Sequence, residues 1–205
     1  MREKLIDLKY ILFHPFDGFY EAKHRGKGSL KLATIFITLF CILKCVEYQY
    51  TGFVMNFNPI FAMNSFTIFI STLSILMLFI VANWTITTLF DGKGSLSEIY
   101  LVLGYSLVPI ILSDIISVIV SNFIILEEVI LLRSFESISV AWFVFLMVAG
   151  LCVIHEYRLF QNFVTLLATF VSALIIVFLF VLLISLLEQM VNFFITIIEE
   201  SIRRL

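Results

Sequence analysis

Lys44 and Asp114 are the residues in this sequence that most need a chemical explanation. Each falls inside an otherwise apolar run, where an isolated charge is costly and is retained only with a partner or a task. Lys44 lies about 14 residues into the run that starts at Leu30, and Asp114 about 18 residues into the run that starts near residue 97. If both runs are helices entering from the same side, a rise of about 1.5 Å per residue puts the two side chains within roughly 6 Å in depth. We therefore expect Lys44 and Asp114 to pair, with Glu47 one turn further along and able to share the lysine. Two uses are open: an ion pair that locks helices together, or the lining of a polar path. Pro109, with Gly104 and Ser106 upstream, interrupts the hydrogen-bond ladder of the same run and should kink it.

A second feature is a repeated pentapeptide. Gly26-Lys27-Gly28-Ser29-Leu30 recurs as Gly92-Lys93-Gly94-Ser95-Leu96, and both copies open an apolar run. Glycines permit a tight turn, and Ser29 and Ser95 are good helix N-caps. Glu98, three residues after Ser95, completes a capping box. The plainer use is a helix-start device whose lysine reaches lipid phosphates. The sharper one is anion or lipid-headgroup binding by Lys27, Ser29, Lys93 and Ser95, because helix-start N–H groups attract anions. The first glycine of a Walker A loop is missing, which argues against nucleotide hydrolysis.

No catalytic constellation is present. There is no Gly-x-Ser-x-Gly and no His-Glu-x-x-His, and Asp114 is the only aspartate inside an apolar run. Cys41, Cys45 and Cys152 have no zinc-like spacing to His14, His24 or His155 and read as small apolar residues. Neither metal nor cofactor is expected.

The elements that must position these groups are membrane helices. Of 205 residues, 61% are apolar and 14% charged, against about 45–50% and about 25% in soluble domains. A crossing needs about 20 apolar residues. The runs give five spans at about 30–50, 60–89, 97–122, 138–157 and 163–187. The expected fold is all-α, a polytopic bundle of five transmembrane helices, with segment 1–29 ahead of a membrane domain covering 30–205. Asn64, Asn83 and Asn122 should hydrogen-bond between helices.

Seven of the 13 Lys and Arg lie in the first 31 residues. Lys93 and Arg158 fall in loops on the same side, so the N-terminus is expected in the cytoplasm and the C-terminus outside. Tyr48, Tyr50 and Trp142 are expected at the outer interface, Trp84 and Tyr157 at the inner one. No cleaved signal peptide is expected, because the head is charged and no small-residue cleavage site follows the first span. Leu5, Leu8, Ile11 and Leu12 share a helical face beside Arg2, Lys4 and Lys9, a pattern for a helix lying on the cytoplasmic leaflet and stopped by Pro15. Residues 188–205, with Glu188, Gln189, Asn192, Glu199 and Glu200, are expected to form an amphipathic tail on the outer surface.

His14-Pro15-Phe16-Asp17-Gly18-Phe19 followed by Arg25-Gly26-Lys27-Gly28-Ser29 resembles the opening of prokaryotic Yip1-domain proteins. Gly92-Lys93-Gly94-Ser95, then Tyr100, Gly104-Tyr105-Ser106 and Pro109, is similar to that family's central signature, and the turn at His155-Glu156-Tyr157 also fits. The resemblance implies five spans with a cytoplasmic N-terminus. Eukaryotic relatives bind small GTPases in vesicle traffic through a long N-terminal segment. Here that segment is about 30 residues and lacks the Asp-Leu-Tyr-Gly-Pro-type motif, so no GTPase partner is expected.

The expected role is that of a non-enzymatic organiser or accessory subunit in a bacterial cell membrane. It would contact membrane lipids and other membrane proteins or a second copy (a homodimer), and no nucleic acid. The alternative is a small carrier or lipid transporter using polar groups on spans one and three.

Overall fold

The computed structural model describes residues 2–56 and 64–203, the side chains of residues 2–7 and of Ser201 excepted. All regular structure among them is helical. Eight α-helices follow in order: α1 (Arg2–Phe13), α2 (Pro15–His24), α3 (Leu30–Tyr50), α4 (Ser65–Leu89), α5 (Leu96–Ser106), α6 (Val108–Val120), α7 (Val129–His155) and α8 (Leu159–Arg203). The expected amphipathic side chains of Arg2, Lys4 and Leu5, the start of span two at 60, and Arg204 lie outside the described residues.

Four stretches are long and apolar enough to cross a membrane: Ser65–Leu89, Leu96–Val120, Leu126–His155 and Leu159–Glu200. α3 has 21 residues, about 31 Å at helical rise, but carries Lys31, Lys44 and Glu47 and is not among the four. It packs along α4, α5 and α6 through the face that carries Ala33, Ile37 and Cys41 and leaves its other face exposed.

The third expected span is two helices. The chain breaks at Leu107, and Pro109 stands in the first turn of α6, where a missing N–H costs no helical bond. α5 is the most buried element, with Ile99, Val102, Leu103, Gly104, Tyr105 and Ser106 all inside. α5 packs against α3 and α7, and Tyr105, Leu103 and Leu151 anchor the main core.

Three boundaries differ from expectation. The loop expected to hold Glu127, Glu128, Arg133 and Glu136 is mostly helix, because α7 begins at Val129. Acidic residues favour a helix N-terminus, and Arg133 and Glu136 pair at 3.1 Å across one turn. Trp142, expected at an interface, consequently sits midway along α7.

The head is not one helix lying apart from the bundle. Pro15 starts a second helix, α2, which packs on α7, while α1 packs on α2 and α5. Phe19 is fully buried and Ile11 nearly so, so the apolar face of the head meets protein. Gly18 permits the contact, because a Cβ there would lie 2.6 Å from the Ile11 Cα.

No break separates span five from the tail. α8 runs 45 residues, about 68 Å. Residues 159–203 contain no Gly or Pro, and Glu and Gln are good helix formers, so the polar residues after 187 change the helix surface without ending the helix. Ser185, Glu188, Asn192, Thr196 and Glu199 recur every three or four residues and define one polar stripe. α8 packs chiefly on α4 through its first half, where Asn162, Thr165, Thr169 and Ser172 are buried. Beyond Ser172 its side chains are almost all exposed.

Candidate functional site

α3 and α6 bring the expected ionic group together. The Lys44 Nζ lies 2.9 Å from the Asp114 Oδ2 and 2.6 Å from the Glu47 Oε2. It also sits 5.2 Å above the centre of the Phe40 ring, a cation–π distance. Asp114 is 7% exposed. Its contact with the lysine is ionic and does not have hydrogen-bond alignment. The helix break at Leu107 allows α6 to turn Asp114 toward α3. Pro109 contributes through that break and is not itself a lining residue.

A cavity of about 400 Å³ opens beside the pair. Lys44, Glu47, Thr51, Ser117, Arg133 and Glu136 are among the residues that line it. Ser113 and Ser117 lie one residue before and three after Asp114. Both hydroxyls are buried with no protein hydrogen-bond partner. The floor is fixed by a close crossing at the end of α3. The Gly52 N–H donates to the Ser121 Oγ at 2.9 Å, and a Cβ on Gly52 would fall 1.9 Å from the Ser121 carbonyl oxygen. Asn122 Nδ2 donates to the Tyr50 carbonyl at 3.0 Å, and Asn83 Nδ2 to the Thr169 Oγ1 at 3.1 Å, the interhelical bonds expected of them. Asn64 instead caps α4, accepting from the Thr67 N–H.

Arg133 and Glu136 are the charged members of this site that the sequence does not single out, and Thr51, Ser113 and Ser117 carry no sequence signal for it either. The i,i+3 spacing and opposite charge of Arg133 and Glu136 mark a helical pair, but the same residues read equally well as loop.

The two Gly-Lys-Gly-Ser turns lie at the other end of the bundle and do different work. In the first, Lys27 pairs with Glu21 at 2.6 Å. The Ser29 N–H donates to the Tyr105 hydroxyl at 3.2 Å, and the Ser29 side chain makes no capping bond. In the second, the expected capping box forms: Ser95 Oγ accepts from the Glu98 N–H, and Glu98 Oε2 accepts from the Ser95 N–H at 2.8 Å.

The second turn also closes around the α7–α8 corner. Lys93 meets Glu156 at 2.6 Å, and the Gly94 N–H donates to the His155 Nδ1 at 3.2 Å. The Tyr157 hydroxyl donates to the Phe90 carbonyl at 2.9 Å. From α2, Lys23 donates to the Ile154 carbonyl at 2.8 Å and reaches Glu156 at 3.4 Å. The hydrogen bond from Lys93, with Lys23 adding to it, holds the Glu156 carboxyl below the usual glutamate range. The hydrogen bond from Lys27 does the same for Glu21. Each motif lysine thus already has a carboxylate partner.

The glycines of this corner are packing positions. A Cβ on Gly94 would lie 2.6 Å from the buried His155 ring, and one on Gly92 would lie 2.6 Å from the Tyr157 hydroxyl. Gly94→Ala should therefore displace His155 and cost about 1–3 kcal/mol, the usual range for an overpacked site. A thermal-melting series in detergent would measure it, and an unchanged melting temperature would show that the ring can yield freely.

Among the described residues, no three His, Cys, Asp or Glu side chains converge to hold a metal ion. No curated protein and no solved structure matches the chain. A family model for the Yip1 domain matches residues 9–187, which takes in both turns, the ionic group and the α7–α8 corner, and stops one residue before Glu188 in the polar stripe of α8. With an all-helical fold rich in apolar spans and a match over most of its length, this chain is a multi-pass membrane protein and belongs to the Yip1 family.

Proposed function

We propose that the protein crosses the membrane five times, with α3 as the first crossing, and acts as a non-enzymatic organiser or accessory subunit through lipid and membrane-protein contacts. α3 is long enough to span, and Lys44, the charge deepest in it, is compensated by Asp114 and Glu47. The excess of Lys and Arg in the head, joined by Lys93 and Arg158, supports a cytoplasmic N-terminus and a place in a bacterial cell membrane. The C-terminus is then extracytoplasmic.

The observation that carries the role is α8. Beyond Ser172 most apolar side chains of α8 are exposed, with no other described residue covering them, Phe178, Phe180, Phe193 and Phe194 among them. Such a surface fits lipid and a membrane-protein partner, including a second copy of this chain. Nothing points to nucleic acid, and the sequence of the head does not favour a small GTPase. Purification in a mild detergent should recover a complex, either a homodimer or the protein with a partner. A lone monomer free of bound lipid would overturn the proposal.

The alternative, a small carrier or lipid transporter, is favoured by one observation: the cavity beside Lys44 and Asp114. It predicts lipid scrambling or solute flux in proteoliposomes that Asp114→Asn abolishes. Flux equal to that of empty liposomes would remove it. Lipid-headgroup binding at Lys27, Ser29, Lys93 and Ser95 belongs to the same proposal, and there the lipid phosphate would have to share each lysine with Glu21 or Glu156.

A further inference from the structure

The polar cavity has an apolar neighbour at Lys44. A second cavity of about 530 Å³ shares Lys44 and Thr72 with it, and every other residue lining this second space is apolar. It runs among α3, α4, α5, α6, α7 and the start of α8, past Phe40, Leu76, Phe79, Leu107 and Phe143. A third space of about 420 Å³ continues from it past Ile75, Phe79 and Leu166, between α4 and α8. Lys44 stands at the junction, with its aliphatic stem along the apolar groove and its ammonium in the polar pocket, the usual arrangement for such a side chain at a polar boundary.

A polar chamber adjoining two apolar ones, with lining residues shared at each boundary, matches the parts of one amphiphile: a headgroup and its hydrocarbon chains. From this we infer that the adjoining cavities are a site for a single phospholipid with a zwitterionic phosphate–amine headgroup. The polar chamber selects the head. Its ionisable lining is balanced, with Lys44 and Arg133 against Glu47 and Glu136. Lys44 is already met by two carboxylates and Arg133 by one, so a purely anionic head would find no uncommitted cation. A head carrying both charges can exchange with both pairs. Its phosphate would face Lys44 and Arg133, and its amine Glu47 and Glu136. Ser117 lines this chamber, and its buried hydroxyl has no protein partner, so a rotation about its Cα–Cβ bond would offer it to a phosphate or glycerol oxygen. An amine bearing N–H donors should be preferred to a quaternary one, because the carboxylates can then accept hydrogen bonds.

This site rests on the proposed action through lipid contacts and names the lipid. The full-length protein would be reconstituted in vesicles of equal phosphatidylethanolamine, phosphatidylcholine and phosphatidylglycerol, extracted in mild detergent, and read by native mass spectrometry. One retained lipid per chain is expected, with phosphatidylethanolamine enriched about tenfold over its bulk share, which one charge-assisted hydrogen bond suffices to give.

Two variants fill the site without removing a bond. Ser117→Leu occupies the headgroup chamber, and Val144→Trp, at a half-exposed position, occupies the groove. Each should abolish retention while leaving the melting temperature of the lipid-free protein unchanged. Retention in bulk proportions, or enrichment that survives both variants, overturns the site while leaving a general lipid-contact role standing. Absence of any retained lipid or protein partner overturns both.

Discussion

Lys44→Met should destabilise the bundle by about 3 kcal/mol, the low end of what removing one partner of a buried ion pair costs. The low end applies because the Lys44 side chain remains 29% exposed, while that of Asp114 is 10% exposed. The substitution keeps the aliphatic stem that lines the groove and removes the charge, so packing changes little. What is lost is compensation: Asp114 and Glu47 then face each other across the site with no cation between them. The double variant Lys44→Met/Asp114→Leu should recover most of the loss, since replacing a buried pair by apolar residues is often neutral. Thermal unfolding in one detergent, with both single variants and the double, measures the coupling. Equal and additive losses would show that the two side chains do not act as a pair. A stable double variant that has lost lipid retention would separate the structural use of the pair from a ligand-binding one.

Gly104→Val is expected to do at least as much damage, by a different route. α3 and α5 touch backbone to backbone at this point, and a Cβ on Gly104 would stand 2.7 Å from both the Cα and the Cβ of Ala33. Ala33 is fully buried and cannot move without moving α3. Small residues at such crossings let helices approach in a membrane, where close packing supplies much of the association energy. Overpacking costs about 1–3 kcal/mol and occasionally more, and here the clash is with backbone. Gly104→Ala should already be destabilising, and valine should prevent α3 from seating. Protease accessibility of the 25–30 segment, together with the melting temperature, would report it. Gly26→Ala is the contrast. Gly26 has a positive φ of 62°, but a methyl group there would meet nothing within 4 Å, so its loss should cost backbone strain without disturbing the bundle.

Much of this protein is written in local signals. Apolar run length places the end of α4, and both ends of the pair α5–α6, within a few residues of those observed, because a membrane crossing demands about 20 apolar residues wherever it occurs. Pro109 marks the break in span three, and Ser95 with Glu98 marks the start of α5, since missing donors and capping bonds act over one turn. Even the Lys44–Asp114 contact follows from depth alone, because two costly charges at one level have few other partners. The Gly-Lys-Gly-Ser turns and the residues around them also carry the resemblance to the family, whose model matches residues 9–187.

The tertiary structure decided what those signals leave open, which is chiefly which helix faces meet. Arg133 and Glu136 join the ionic pocket only because α7 begins early, and a charged stretch after an apolar run looks the same as loop or as helix start. Ile11 and Phe19 face protein and not lipid, although an amphipathic face is equally suited to either. Glu188 and Gln189 do not end α8, because polarity changes a helix's surroundings and not its hydrogen bonds. His155 is clasped by a turn more than 60 residues earlier in the chain. Helix lengths and ends depend on neighbours in sequence. The junction of a polar cavity with an apolar groove depends on six helices packing at once, and the all-round apolar character of the spans gives no periodic pattern from which those contacts could be read.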